Sequence, residues 1–446
     1  MRALLRRWPL LSVVALAAAL LPLTVGCEER EKQGAVTPGA TVERPPTGEV
    51  PGVTDTEIRI GTLLPLSQTP AAAWGVPIRE GMQAYYDYIN DQGGIYGRKI
   101  KLIVGDNQYN GPVAGEAARK LVEQDKVFAI QGSLGTAAHS SVWKYLEENG
   151  VPDMFILTGN RKWTEPAAPN RFGLLVDYTT EGRMLGKYVA ENYKGRKLGI
   201  IAQNDDFGKE GEKGLKMGVE ENNGDMEVVV EYYDETQNDV TPQMQRLKAA
   251  NVDVIVLYSM PVQAASGFKV ARQTLSWDVP IVMSGVDAVE VVARLAGYDN
   301  IEGAVSVVFG HQAFETDVPG IAKHHEIMAK YAPGTAVDNL TLLGAFIGEY
   351  MVRILKQEGP DLTRESFLDA AESMCQFQCS ACMVPSTMSP TDHRPIEVEV
   401  YARATVDRST DPPTFRWEPF GEPFGFESTK DCTSPTPPPG HEGQPE

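Results

Sequence analysis

The chain has 446 residues, 60 aspartates and glutamates against 41 lysines and arginines, a net charge of −19, and 42% hydrophobic residues. That balance excludes nucleic acid as a partner, because neutralising phosphates needs basic clusters that are absent here. The length is too great for one compact core, so two lobes are expected.

The first 27 residues read as an export signal. Arg2, Arg6 and Arg7 precede an apolar run over 10–21 that is too short to span a bilayer, and small residues then lead into Cys27. The run Leu23-Thr24-Val25-Gly26-Cys27 resembles a bacterial lipoprotein box, which implies acylation of Cys27; Thr24 stands where that pattern usually has Leu. The polar, proline-marked stretch that follows reads as a flexible tether. No later hydrophobic segment approaches spanning length, so any further membrane role is peripheral.

Beyond the tether, a strand over 58–60 leads through a Gly/Pro-marked loop over 61–75 into an amphipathic helix. That helix carries Ile78, Met82, Tyr85 and Ile89 at helical spacing, stops at Gly93-Gly94, and is followed by a strand over 100–104. A second stripe, Ala114, Ala117, Ala118, Leu121 and Val122, leads to a buried-type strand over 127–130 and the loop 131–136. A helix through Tyr145 and Leu146, a strand over 154–157 and the loop Thr158-Gly159-Asn160 complete a doubly wound half. An extended segment over 171–177 reads as a crossing. The period then repeats: helix 180–192, strand 198–202, loop 203–208, a helix, strand 227–232, helix 242–250, strand 254–258, helix 262–274 and strand 281–283. Residues 301–308 read as another crossing, and the amphipathic helix 339–357 returns to the first lobe. Strands over 396–402 and 415–417 form a hairpin.

The expected organisation is a signal peptide over 1–26, a tether over 27–54, a first lobe from 55–175 with 305–358, a second lobe from 176–304 with 359–427, and a disordered tail over 428–446. With Cys27 set aside, Cys375, Cys379, Cys382 and Cys432 remain. The Cys-x3-Cys-x2-Cys spacing can hold an iron–sulfur cluster, but such clusters belong to reducing compartments and this chain is exported. Two disulfides are expected instead. Three pairings are possible and the sequence does not choose among them, although Cys375 and Cys379, four apart in a predicted helix, are poorly placed for each other.

Ile58-Arg59-Ile60-Gly61, Pro65-Leu66, Gly75, Gly81, Ile89-Asn90, Gly93-Gly94-Ile95, Gly97-Arg98, Asp106 and the run 121–127 together resemble the N-terminal signature of type I periplasmic binding proteins. The resemblance is closest to the branched-chain amino acid (leucine, isoleucine, valine) group of ABC-importer receptors. It extends over about 56–417, and Phe207-Gly208 and residues 389–394 fit it as well. It implies an α/β fold of two doubly wound, Rossmann-like lobes joined by three crossover segments and closing around one small ligand. It also implies docking of the closed receptor on an ABC permease in the membrane. The receptor is expected to act as a monomer, with no cofactor and no metal.

In that family the ligand's carboxylate is held by hydroxyls and backbone N–H groups, and the matching positions are Ser133, Thr136, Thr158 and Gly159. Trp74 and Phe207 match aromatics that pack on the ligand, Asp287 matches a second-lobe carboxylate for its ammonium, and Tyr258 ends a strand beside them. Duller readings stay open: Thr136 and Asp287 can cap the helices that follow them, and Trp74 and Phe207 can be core. If Asp287 is a cap, the ligand need not be an α-amino acid. The chain lacks the cysteine pair that many amino-acid binders place near Asn110 and Gly135, and its 158–163 loop is bulkier and more charged. Both departures widen the ligand class to aromatic acids, amides and modified amino acids. A sensor signalling through a membrane partner would share these features. His139 beside Ser140 and Ser141, and Asp392-His393, have neither an elbow motif nor an ordered partner, so no enzyme is expected.

Overall fold

The computed structural model describes residues 50–425 apart from Pro412. The export signal, Cys27, most of the tether, Cys432 and the tail from 428 lie outside the described residues. Five strands form one sheet: β1 (Glu57–Leu64), β2 (Lys99–Asp106), β3 (Ala129–Gln131), β4 (Asp153–Ile156) and β5 (Arg171–Gly173), in the order β2-β1-β3-β4-β5 and all parallel. Seven form the other: β6 (Leu198–Gln203), β7 (Val228–Tyr233), β8 (Val254–Tyr258), β9 (Ile281–Met283), β10 (Val305–Val308), β11 (Glu399–Asp407) and β12 (Thr414–Phe424). Their order is β12-β11-β10-β9-β8-β6-β7, parallel from β7 to β10, with β11 and β12 added antiparallel as a hairpin. The two parallel sets trace one and the same path, so the repeat read in the sequence is a repeat of topology. Val254–Tyr258, a continuous apolar run, is buried along its whole length, as a strand covered by helices on both faces must be.

β1 runs on to Leu64, past the Gly61 at which the sequence suggested its end. Gly61 sits under Ile130, Leu121 and Val127, where a Cβ would stand 3.2–3.3 Å from their side chains. The first loop is therefore short, and the helix Ala72–Asp91 begins early enough to take Trp74 into its first turn. Two boundaries also differ from expectation. Val305–Val308 was assigned to the first lobe, but it pairs with β9 and β11 inside the second sheet, so the crossing starts after it. Residues 364–372, within the 359–427 stretch expected in the second lobe, form a helix, Arg364–Glu372, that belongs with the first. Phe367 stands edge-on to Phe128 at 5.2 Å, and the Arg364 guanidinium donates to the carbonyls of Phe128 and Val127 at 2.8 and 2.9 Å. The chain crosses between sheets after β5, after β10 and before β11, which makes the three crossings of a type I periplasmic binding protein fold.

The last crossing holds the cysteines, which follow the helix ending at Glu372 rather than sitting in it. Cys379 and Cys382 form a disulfide, with Cα atoms 5.0 Å apart, and Cys375 is also disulfide-bonded. Each sheet is backed by a helix pair in glycine contact. A Cβ at Gly81 would stand 1.9 Å from the Thr341 carbonyl oxygen, and one at Gly344 would stand 2.1 Å from that of Ile78, which presses Ala72–Asp91 against Asn339–Glu358. Gly182 and Gly214 do the same for Tyr178–Tyr193 and Asp206–Glu221, at 2.4 and 2.1 Å from the carbonyl oxygens of Gly211 and Thr179.

Candidate functional site

A doubly wound sheet with this strand order offers a crevice at the carboxyl ends of its strands, where the order reverses. Here those ends face each other. Loops after β3 and β4 meet loops after β6, β8 and β9, and direct contacts close the gap. Lys162 Nζ lies 2.7 Å from Asp206, the Arg161 amide donates to Glu210 at 3.3 Å, the Gln203 side-chain amide reaches the Tyr109 hydroxyl at 3.3 Å, and the Asn339 amide donates to Glu290 at 3.3 Å.

Most of the expected site residues converge at the centre of this junction. Thr136 and Thr158 are buried and share a hydroxyl–hydroxyl hydrogen bond of 2.6 Å. The Tyr178 hydroxyl reaches both of them. Its ring lies 4.7 Å from that of Phe207 and 6.0 Å, edge-on, from that of Tyr258, while Phe207 and Tyr258 are 5.1 Å apart. Gly159 allows the first crossing to pass: its carbonyl accepts from the Tyr178 amide at 2.9 Å, and a Cβ would stand 2.5 Å from the Val176 carbonyl oxygen. Ser133 is buried in the same region, and its hydroxyl has no partner.

Neither capping alternative is what the structure contains. Thr136 opens a single turn, Thr136–His139, behind Gly135, and no side chain caps that turn. One turn sums few peptide dipoles, so an anion here would rely on hydroxyls and local N–H groups rather than on a helix field. The helix Glu290–Ala296 starts after Val289 without a side-chain cap, which leaves Asp287 free of that duty. Asp287 lies in the turn Gly285–Asp287, buried; it accepts from the Ser259 hydroxyl at 2.8 Å, and its other oxygen is unpartnered. Burial holds its carboxyl well above the usual range.

Trp74 stands apart from the ring cluster. It is buried, its indole N–H has no acceptor, and it lines a cavity of about 70 Å³ with Gly285, Val289, Phe309, Gln312 and Phe346. Gly285 links this cavity to the Asp287 turn.

Sequence reasoning missed Tyr178 and Glu181. Asp177 accepts from the Thr180 amide and so caps the helix Tyr178–Tyr193, which fixes both residues in its first turn. Asp followed by an acid four positions on was a visible sign of a helix start, but it gave no sign of what the turn would face. Burial pushes Glu181 up to about 7, tempered by the Tyr258 hydroxyl and the Gly285 N–H. Asp177 itself is tied to Arg394 at 2.8 Å. His139 is a structural residue, buried 2.9 Å from the Asp153 carboxylate and edge-on to Trp163. His393 stacks on Phe172 at 4.0 Å. The Ser140 hydroxyl donates to the Thr136 carbonyl at 2.8 Å.

Two doubly wound lobes meeting at their strand ends over a hydroxyl-, aromatic- and carboxylate-lined junction define the class of two-lobed solute receptors. The chain belongs to the periplasmic binding protein family, which it matches over residues 57–408. It is 30% identical over 205 residues to the Leu/Ile/Val-binding protein BraC3 of Rhizobium johnstonii, covering 45% of this chain and 53% of that one. It is 24% identical over 208 residues to a Leu/Ile/Val-binding protein homolog 1 of Brucella abortus, covering 47% and 55%. The chain thus spans about half the length of the curated relatives it matches. Among solved structures it is similar to a branched chain amino acid ABC transporter from Thermus thermophilus with bound valine, with a TM-score of 0.73, 19% identity, and 83% and 97% of the two chains covered. It is also similar to a fatty acid ABC transporter substrate-binding protein from Thermomonospora curvata, with a TM-score of 0.72, 23% identity, and 85% and 95% covered. At these identities the structural likeness is one of fold.

Proposed function

We propose that the chain is the extracytoplasmic substrate-binding component of an ABC importer, tethered to the membrane through a lipid on Cys27. In this reading it closes its lobes around a small, carboxylate-bearing, amino-acid-like solute and delivers it to a permease. The observation that carries the reading is the opposite polarity of the two walls. The first lobe presents hydroxyls, at Ser133, Thr136 and Thr158, and the second presents Asp287 with an unpartnered oxygen. A zwitterion matches both walls. The names of the Leu/Ile/Val-binding relatives support the same class.

Ligand sites usually enclose about 300 Å³ or more, so a cavity of about 70 Å³ admits a solute only when the lobes part and close again around it. The ligand's contacts to both walls then supply the differential affinity that selects the closed form. The apolar lining of Trp74, Phe309 and Phe346 favours a second reading within the same role, an aromatic acid or amide as cargo.

The test is mass-spectrometric identification of solute co-purified with the protein. It is joined to a thermal-shift screen of amino acids, aromatic acids and amides, in which a ligand at one hundred times its Kd stabilises by about 2.7 kcal/mol. A shift with a carboxylated solute is expected. No co-purified solute and no shift with any member would overturn the reading.

A further inference from the structure

Three carboxyls converge behind the Asp287 turn, and among the described residues no basic side chain acts on them. Asp287 is one, Glu181 in the first turn of Tyr178–Tyr193 is the second, and Glu399 at the start of β11 is the third; all are buried. Each keeps one oxygen with no partner, and the hydroxyls of Ser284 and Thr179 are buried and unpartnered too. Arg394 is engaged by Asp177, which neighbours Glu181. Buried charge without a partner is costly, so such a group either holds a proton or meets a cation. Glu181 lies directly behind Gly285: a Cβ there would stand 3.1 Å from Glu181 Oε2. Gly285 and Trp74 both line the same cavity, and the buried, unpartnered indole N–H of Trp74 is an independent sign that a ligand atom completes this space.

We propose that Glu181 is a second ligand-binding carboxylate, acting with Asp287 to hold a protonated nitrogen group of the solute, a primary ammonium with several N–H donors. The inference rests on the receptor reading above and narrows its ligand class to amine-bearing solutes. Two acceptors on separate elements, a helix turn and a strand-end turn, match an ammonium's divergent donors better than one does. Glu399 neighbours Glu181 as the third, and burial raises its carboxyl.

Binding is then linked to protons. Burial pushes the Glu181 carboxyl up to about 7, and the groups facing it are Asp177 with its Arg394, Tyr178, Tyr258, Asp287 and Glu399. Burial raises the carboxyls of Asp287 and Glu399 as well. An arriving ammonium favours the ionised form of Glu181, so its proton leaves to solvent and affinity for the amine rises as pH goes from 6 to 8.

The experiment uses paired probes, L-leucine against 4-methylpentanoate and L-phenylalanine against 3-phenylpropanoate, with calorimetry in two buffers of different ionisation enthalpy. The expected result is preference for the amine in at least one pair, with proton release, and a roughly tenfold or greater loss of that binding in Glu181→Gln and in Asp287→Asn. Glu181→Gln removes a buried acid and keeps its shape, so its ligand-free melt should not fall. Acids that bind as tightly as their amines, or unchanged amine affinity in Glu181→Gln, would overturn this inference and leave the receptor reading standing. Binding by no member of either pair would overturn it as well, whereas the receptor reading would then fail only if the broader screen and the co-purification are also negative.

Discussion

Replacing Thr136 by valine deletes one hydroxyl and keeps the side chain's shape, which makes the Thr136–Thr158 pair a clean test of the first-lobe wall. The two oxygens are 2.6 Å apart and both residues are 2% exposed. In Thr136→Val the Thr158 hydroxyl keeps only long contacts, to the Asn160 amide at 3.4 Å and the Trp163 indole at 3.5 Å, together with the Tyr178 hydroxyl. Stranding a buried polar group costs about 1–3 kcal/mol, whereas removing both partners of a pair is close to neutral. With Tyr178 in reach the cost lies at the lower end, about 1 kcal/mol for each single valine variant. The double variant should cost less than either of them, which gives a coupling of about 1 kcal/mol or more. Urea denaturation of the four proteins without ligand measures the cycle, and ligand titration of the same four measures the binding contribution. Roughly tenfold weaker binding in Thr136→Val is expected where the hydroxyl donates to a carboxylate. Strictly additive stability losses would refute the pairing, and unchanged affinity would make Thr136 a structural residue only.

Gly81→Ala places a methyl group 1.9 Å from a carbonyl oxygen of the facing helix, a backbone atom that cannot rotate away, so a loss of about 3 kcal/mol or more is expected. At Gly115 the nearest atom to a new Cβ is 3.7 Å away and the same substitution should stabilise by about 0.5–1 kcal/mol; equal effects in denaturation melts would sink the packing argument. Stability of the ligand-free protein should fall as pH rises from about 5 to 7.5. Burial raises Glu181, Glu210 and Glu290 to about 7, so the folded chain keeps protons that the unfolded chain has already lost, and their stabilising share disappears as pH climbs through 7. His324, lowered to about 4 by burial, works the other way below its unfolded value, but it is one group against three. A denaturation midpoint that rises steadily between pH 5 and 7.5 would contradict this balance.

The order of strands and helices was legible because buried parallel strands leave plain apolar runs and their helices leave period and caps. Membership was not. Val305–Val308 is a four-residue strand, three valines and Ser306, that fits either lobe, and only its pairing with β9 and β11 decides. The helix Arg364–Glu372 is not legible from its pattern although Thr363 caps it, because it is only nine residues long and its buried face is mostly small or polar, with Phe367 and Leu368 its large apolar residues. Within the candidate site, the loop hydroxyls and Phe207 were legible through the family resemblance, and Tyr258 from its place at a strand end; Thr136 meets Thr158, and Phe207 meets Tyr258. Tyr178, Glu181 and Glu399 were not legible, because the helix whose first turn carries the first two and the hairpin that carries the third are brought to the cleft by tertiary docking. Trp74 was read as a loop residue because Gly61 looked like the end of a strand that in fact continues to Leu64.

The glycine contacts behind each sheet have a mechanical consequence. Helices locked backbone to backbone leave no soft side-chain layer to shear, so each lobe is stiff as a plate, and compliance is confined to the three crossings. A stiff pair of plates on a soft joint has essentially one slow coordinate, the angle between them. In the proposed role, a membrane partner would therefore receive the state of the cleft as a single variable, and glycines on the backing helices, such as Gly81 and Gly214, would help keep that variable free of noise.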